Sequence, residues 1–313
     1  MSKRFFFLTI TTLFIGSLFT SCSEDNSYNP YEEQNKGFFN PTNIVIRKNT
    51  DSREITEKWT NITRNYDNKV TSYEYSFETN GDIIQKEYHK SNIKYYRRHD
   101  GENAIETNTD ISYSKNVNGI TEDYTRKVHE IVYLNENGYI KEISSIIDHI
   151  DTKSGEQYTT TSTRTFAYSG DFCKSSTYRD MDYEITYNYK WNGYQLTKIT
   201  EHKKYIKDGS TDYSTYEYQF NTKYIFPYKG TDLMAFVQSG MPQIYASMGY
   251  VGKGTPYILT EEKQGGRTEI PGHGSSSKPI ISNSYSFDGD ISTKLSYIAF
   301  SNIYNTYSIT FSK

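Results

Sequence analysis

Along much of the chain apolar and polar side chains change places at every step. Tyr73, Tyr75 and Phe77 alternate with Ser72, Glu74, Ser76 and Glu78. Tyr183, Ile185, Tyr187, Tyr189 and Trp191 alternate with Glu184, Thr186, Asn188 and Lys190, and Tyr216, Tyr218 and Phe220 with Glu217 and Gln219. A period of two sends successive side chains to opposite faces of a strand, so these stretches predict sheet with one aromatic face and one wet face. The period fixes the alternation and leaves open which face turns inward.

Turn dipeptides punctuate the pattern: Asn80-Gly81, Asp100-Gly101, Asn118-Gly119, Asn137-Gly138, Ser154-Gly155, Ser169-Gly170, Asn192-Gly193, Asp208-Gly209 and Asp288-Gly289. Tight hairpin turns need positive φ, which glycine supplies, so each dipeptide predicts a hairpin. A spacing of roughly 15 to 20 residues leaves strands about 35 to 45 Å long. A loose repeat accompanies it, an aromatic pair followed by a turn glycine, as in Tyr75 and Phe77 before Gly81, Phe166 and Tyr168 before Gly170, Tyr187 and Tyr189 before Gly193, and Tyr285 and Phe287 before Gly289. The predicted class is all-β, a long-stranded antiparallel up-and-down meander forming a curved sheet or barrel.

Two segments fit less well. Ile140, Ile143, Ile147 and Ile150 stand at helical spacing, but β-branched content and flanking turns favour a strand over 139–151. Between Tyr228 and Tyr250 the alternation lapses. There Thr231 or Asp232 can cap the apolar run Leu233 to Val237, and Gly240-Met241-Pro242 would end it, which predicts one short helix near 231–239.

The N-terminus has another order: Lys3 and Arg4, an apolar run from Phe5 to Phe19, then Thr20 and Ser21 before Cys22. The run is diluted by Thr9, Thr11, Thr12 and Ser17 and falls short of the roughly 20 apolar residues a spanning helix needs. It reads as an export signal. Leu18-Phe19-Thr20-Ser21-Cys22 resembles a bacterial lipobox, with Phe19 where leucine usually stands. The resemblance implies cleavage before Cys22 and lipid on its thiol, which would anchor the chain in the outer membrane. Ser23-Glu24-Asp25-Asn26 resembles the acidic signal that sends Bacteroidetes lipoproteins to the outer face of that membrane. The expected organisation is a signal peptide over 1–21, a lipidated cysteine and flexible tether over 22–40, and a single β-meander domain over 41–313.

Composition narrows the function. With 32 Tyr and 16 Phe against 2 Trp and 5 Met, the core must be built largely from aromatics. A net charge of −3 gives no basic face for nucleic acid. A mean hydropathy of −0.80 argues against membrane-embedded bulk, and Cys173 has no cysteine partner once Cys22 carries lipid.

The segment Asn221-Thr222-Lys223, Pro227, Asp232-Leu233, Phe236, Pro242 and Gly249 to Pro256, after the run of aromatic hairpins, resembles an uncharacterised domain family of Bacteroidetes lipoproteins described as porin-like in fold. The likeness runs from about residue 40 to 313. It implies architecture and address, and it brings no catalytic residue or ligand. A lipid-facing strand wants Leu, Val, Ile and Phe through its middle. Here the apolar parity is mostly tyrosine, so a pore is the minority alternative.

No catalytic constellation emerges. His89, His99, His129, His149, His202 and His273 lack metal-ligand spacing. Gly252-Lys253-Gly254-Thr255 lacks the spacing of a phosphate loop. Asp180, Asp182 and Glu184 share one side of a strand and offer hard oxygens for calcium, but turn acids explain them more simply. Asn61-Ile62-Thr63 matches a glycosylation sequon that means little in a bacterial lipoprotein. No metal, cofactor or enzymatic activity is therefore expected. Gly265-Gly266 and Gly272 to Ser277 read as a mobile loop.

The candidate ligand-binding residues are Tyr187, Tyr189, Trp191, Tyr216 and Tyr218, flat rings suited to stacking on sugars or gripping a protein if uncovered, and core if covered. The expected function is a non-catalytic, lipid-anchored cell-surface lipoprotein that binds an extracellular polysaccharide or a partner protein. The alternatives are a structural component of the outer envelope docked on an outer-membrane protein and, as the minority, a pore or an enzyme.

Overall fold

The computed structural model describes residues 42–50, 53–67, 69–81, 83–117, 119–225, 243–272, 274–288, 294–301 and 305–312. Sixteen strands follow one another in sequence order. They are β1 Asn43–Thr50, β2 Arg53–Arg64, β3 Val70–Gly81, β4 Ile83–Arg97, β5 Asn103–Val117, β6 Ile120–Leu134, β7 Ile140–Asp151 and β8 Gln157–Ser169. The second half comprises β9 Phe172–Arg179, β10 Tyr183–Asn192, β11 Gln195–Tyr205, β12 Thr211–Ile225, β13 Tyr257–Ile270, β14 Gly274–Asp288, β15 Lys294–Ser301 and β16 Asn305–Ser312. Among the described residues one short helix, α1 Gln243–Ser247, lies between β12 and β13. The helix expected near 231–239 lies outside the described residues, and α1 begins just after Pro242.

Each strand pairs antiparallel with the next, and β1 pairs with β16 from Asn43↔Ser312 to Asn49↔Thr306, so the sheet closes into a barrel. This is the up-and-down meander expected from alternation and turns, in its closed form. The eight expected turn glycines from Gly81 to Gly209 all have positive φ, and Gly289 lies outside the described residues.

The alternation resolves into an inside and an outside. The aromatic parity points inward, where residues are buried or half-buried, while the other parity is half-buried to exposed. On the outside, cross-strand neighbours Glu74, Lys90, Asp110, Lys127 and Asp148 form a row of alternating charge around β3 to β7. Opposite charges directly across a sheet attract. A barrel in a bilayer presents an apolar band there, and each lysine at the midplane would cost about 2–4 kcal/mol. The described outer face is polar throughout this row.

The two ends differ. At the end where even strands pass to odd ones, the inner face is apolar: Ile44, Ile46, Ile105, Val132, Ile140, Leu196, Ile199 and Leu259 are buried around Ala246 and Val251. Fully burying such a side chain contributes about 1.5–3 kcal/mol. This floor is sealed by the segment from α1 to Pro256. Backbone Ile140 N donates to Tyr250 O at 2.8 Å and Lys253 N to Asp171 O at 2.8 Å, and Leu196 N donates to Thr255 Oγ1 at 2.9 Å. Gly252 is required here, because a Cβ on it would stand 2.5 Å from Asp171 O. Cys173 is buried in the floor, and burial pushes its thiol up to about 12. Asn43 and Ser312, the two ends of the barrel, also lie at the floor. The opposite end is the mouth, where the inner face carries Glu57, Arg126, His149, Lys203 and Asp212.

Three stretches show how the floor is made. Leu134 faces Ile140 while Tyr133 faces Glu142, which leaves Lys141 as an extra residue in a β-bulge. The bulge turns both Ile140 and Ile143 inward, so their helical spacing is accommodated within strand β7. The same device skips Lys174 between β8 and β9 and Thr197 between β10 and β11, turning Cys173 with Ser176, and Leu196 with Ile199, to the core.

The glycine-rich stretch differs from its expected loop. Gly265 and Gly266 lie inside β13, Gly274 to Ser277 begin β14, and the connection is only 271–273. A Cβ on Gly266 would stand 2.2 Å from Tyr213 O, so glycine is there for a close backbone approach.

Candidate functional site

Above the floor, between the walls of β2 to β6 and the first turn of α1, lies a cavity of about 330 Å³. Its lining is Trp59, Tyr73, Tyr75, Glu87, His89, Glu130, Ile244 and Tyr245. Register explains the grouping. Trp59, Tyr75 and His89 are direct cross-strand neighbours on the inner face, and so are Glu57, Phe77 and Glu87 in the next row toward the mouth. An aromatic row thus runs beside a row that carries carboxylates.

The rings touch in sequence. Trp59 and Tyr75 centroids are 4.8 Å apart and tilted by 55°, and Tyr75 meets His89 edge-on at 4.8 Å. Both spacings fall in the range favoured by ring quadrupoles. Tyr75 donates to Glu57 Oε2 at 3.3 Å, and His89 Nε2 donates to Glu87 Oε1 at 2.5 Å. Glu87 and His89 keep 22% and 21% of their side-chain surface open, so the chamber is reached by solvent.

Tyr245 closes the chamber from the helix side. Its hydroxyl donates to Glu130 Oε2 at 3.0 Å and lies 2.7 Å from Thr107 Oγ1, while Ser145 donates to Glu130 Oε1 at 3.0 Å. Burial, reinforced by the Glu130 charge, holds the Tyr245 phenol well above its ordinary range. Burial pushes Tyr73 up to about 12. Tyr75 is raised by burial first and then by Glu57 and Glu87. These phenols are neutral donors at any physiological pH.

Toward the mouth the lumen becomes cationic on one side. Arg126 lies 4.7 Å over the Tyr124 ring and donates from Nη2 to its hydroxyl at 3.0 Å. His149 stacks on Tyr158 at 4.3 Å, and burial and then Arg126 lower its pKa, which favours the neutral ring. Further round, Arg164 lies over Tyr178 and Tyr187 at 5.5 and 5.7 Å, and Lys203 over Tyr183 at 4.0 Å.

The aromatics singled out in sequence occupy the opposite wall, on β10 to β12. Tyr187, Tyr189 and Tyr218 are buried, and Trp191 and Tyr216 are partly buried against the same core. Tyr189 pairs with Ser176 at 3.1 Å, and Trp191 Nε1 donates to Cys173 O at 2.8 Å. The calcium candidates serve a turn: Asp180 Oδ1 accepts the backbone amides of Asp182 and Tyr183 at 2.8 and 2.9 Å. Among the described residues no group of three or more His, Cys, Asp or Glu could hold a metal ion. Cys22 lies outside the described residues. The chamber residues Trp59, Glu87, His89, Glu130 and Tyr245 were not apparent from sequence, because β2, β4, β6 and α1 bring them together from far apart.

The fold and this lining together define a plugged β-barrel with an aromatic lumen and, over β3 to β7, a charged outer row. No family model matches the chain, and no curated protein matches it. Among solved structures it is similar to a porin-like protein from Bacteroides uniformis, with a TM-score of 0.49 and 14% identity over 88% of this chain and 100% of that one.

Proposed function

We propose that the protein is a non-catalytic lipoprotein, anchored through Cys22 on the outer face of the outer membrane, that binds an extracellular oligosaccharide inside its barrel. The observation that carries this reading is the chamber itself. At about 330 Å³ it falls within the common range of small-ligand sites, roughly 300–1,000 Å³, and it joins aromatic rings to a few convergent polar groups. Pyranose rings have apolar faces and hydroxyl edges. Tyr73 and Tyr75 offer the flat surface, and the Glu87 carboxylate and the second ring nitrogen of His89 offer polar partners for hydroxyls. The partly open ring of Tyr216 on the far wall would meet the rest of a longer ligand.

Calorimetric titration of the mature domain with a panel of neutral and charged oligosaccharides tests the reading. Binding of at least one, weakened severalfold or more by Tyr75→Ala in a protein that still melts cooperatively, is the expected result. Failure of the whole panel, or indifference to Tyr75→Ala, would overturn it. The anchor is tested separately by antibody labelling of intact cells, which Cys22→Ala should abolish.

A second reading, an assembly component docked on a partner protein, draws on an outer groove of about 430 Å³ over β2 to β6, where Tyr88 is 41% exposed beside Lys58, Glu78 and Lys86. Co-purification of one stoichiometric partner, lost on Tyr88→Ala with the lumen intact, would favour it.

A further inference from the structure

We infer that the group seated deepest in the chamber is an ammonium, so that the ligand is an amino sugar or a glycan carrying one free amine. This rests on the luminal reading above and specifies its chemistry.

The argument starts from charge. Glu87 and Glu130 both line the chamber, and among the described residues no lysine or arginine pairs with either. Glu130 is held by two neutral hydroxyls, those of Tyr245 and Ser145. Among the described residues Glu87 is hydrogen-bonded by His89 alone. The inner-face guanidinium two strands from His89 belongs to Arg126, which is engaged with Tyr124 by stacking and a hydrogen bond. The chamber therefore sets two carboxylates against a single imidazole, His89, which can offset Glu87 and leaves Glu130 with neutral partners, in a setting where charges are less screened than in water.

The rings add to this. Trp59, Tyr73, Tyr75 and Tyr245 surround the same space, and aromatic faces attract cations through their quadrupoles. Rings and carboxylates lining one cavity are complementary to an alkylammonium, whose N–H groups bond the carboxylates while its CH groups lie on the rings. A neutral hydroxyl at that position would use the rings and leave the negative charge uncompensated. The lining thus distinguishes an amine from its acetylated form.

The test uses the glucosamine trimer and the N-acetylglucosamine trimer as probes, titrated into the mature protein below the pKa of the sugar amine. The glucosamine trimer should bind about tenfold or more tightly than its acetylated counterpart, since a hydrogen bond to a charged group contributes about 1.5–3 kcal/mol. Its affinity should fall with added salt. Glu87→Gln should erase most of the preference, and Glu130→Gln should weaken it while keeping an acceptor for Tyr245. A thermal melt of each variant confirms that it folds.

Equal affinity for the two trimers, or a preference that survives both glutamine substitutions, overturns the amine inference and leaves the luminal reading standing. Failure to bind the glucosamine trimer also overturns it. In that case the neutral members of the wider panel decide the luminal reading on their own.

Discussion

Tyr245 and Glu130 stand 115 positions apart in the chain, and the tyrosine hydroxyl donates to the glutamate Oε2 at 3.0 Å inside the barrel. This bond ties the short helix of the plug to the inner face of β6. Tyr245→Phe removes the donor and leaves the Glu130 carboxylate and the Thr107 hydroxyl each short of a partner. The expected loss is about 1–3 kcal/mol, read as a lower urea midpoint at unchanged slope.

Alkaline pH should unfold the barrel. Tyr73, Tyr124, Tyr139 and Tyr178 are pushed up to about 12, each mainly by burial, and Tyr245 is raised further. In the unfolded chain the same phenols ionise near pH 10. Because the folded pKa is the higher one, this stability is fully present below pH about 10 and is lost as pH rises toward the folded values. Ultraviolet absorbance of phenolate should therefore show a step that coincides with the loss of sheet signal, over and above the contribution of exposed rings such as Tyr66 and Tyr158, and the absence of that step would contradict the burial.

Adjacent glycines in β13 should behave differently. Gly266→Ala sets a methyl 2.2 Å from Tyr213 O and forces the backbone apart, with an expected cost of about 1–3 kcal/mol. Gly265→Ala meets only Ile280 Cγ1 at 3.6 Å, and it should be neutral or slightly stabilising because the unfolded chain loses freedom. Thermal melts of the two variants make the comparison.

The bulge at Lys141 gives a test of register. Lys141→Ala removes an exposed ion pair with Glu102, at 2.6 Å, and should cost no more than about 1 kcal/mol. Deleting Lys141 removes the extra residue but leaves Ile140 two positions before Ile143, so both stay on the inner face of a regular ladder; the deletion should cost little beyond the ion pair, and a much larger loss would show that the bend of the bulge itself is needed. Chemical denaturation of both variants distinguishes the side chain from the spacing.

Strands and hairpins were legible because alternation and turn glycines act locally. The turns at Asn65 and Asp180 were less so, since there a side-chain oxygen accepts backbone amides in place of glycine geometry; Asn65 Oδ1, for instance, accepts those of Asp67 and Lys69 at 3.0 Å. The spacing of Ile140 and Ile143 carried a true signal of shared burial, but a bulge and a helical turn place residues three apart on one face alike. Gly265 and Gly266 looked like loop because composition does not show how close another backbone passes. Closure of the sheet and the inward choice of the aromatic parity depend on all sixteen strands together. The chamber was illegible for the same reason, since Trp59, Glu87, Glu130 and Tyr245 become neighbours only through cross-strand register and the returning plug.

The chain enters and leaves the barrel at the same end, where Asn43 pairs with Ser312 beside the plug. A tether joined just upstream of Asn43 would grip the barrel at its floor and leave the mouth as the end farther from the point of attachment.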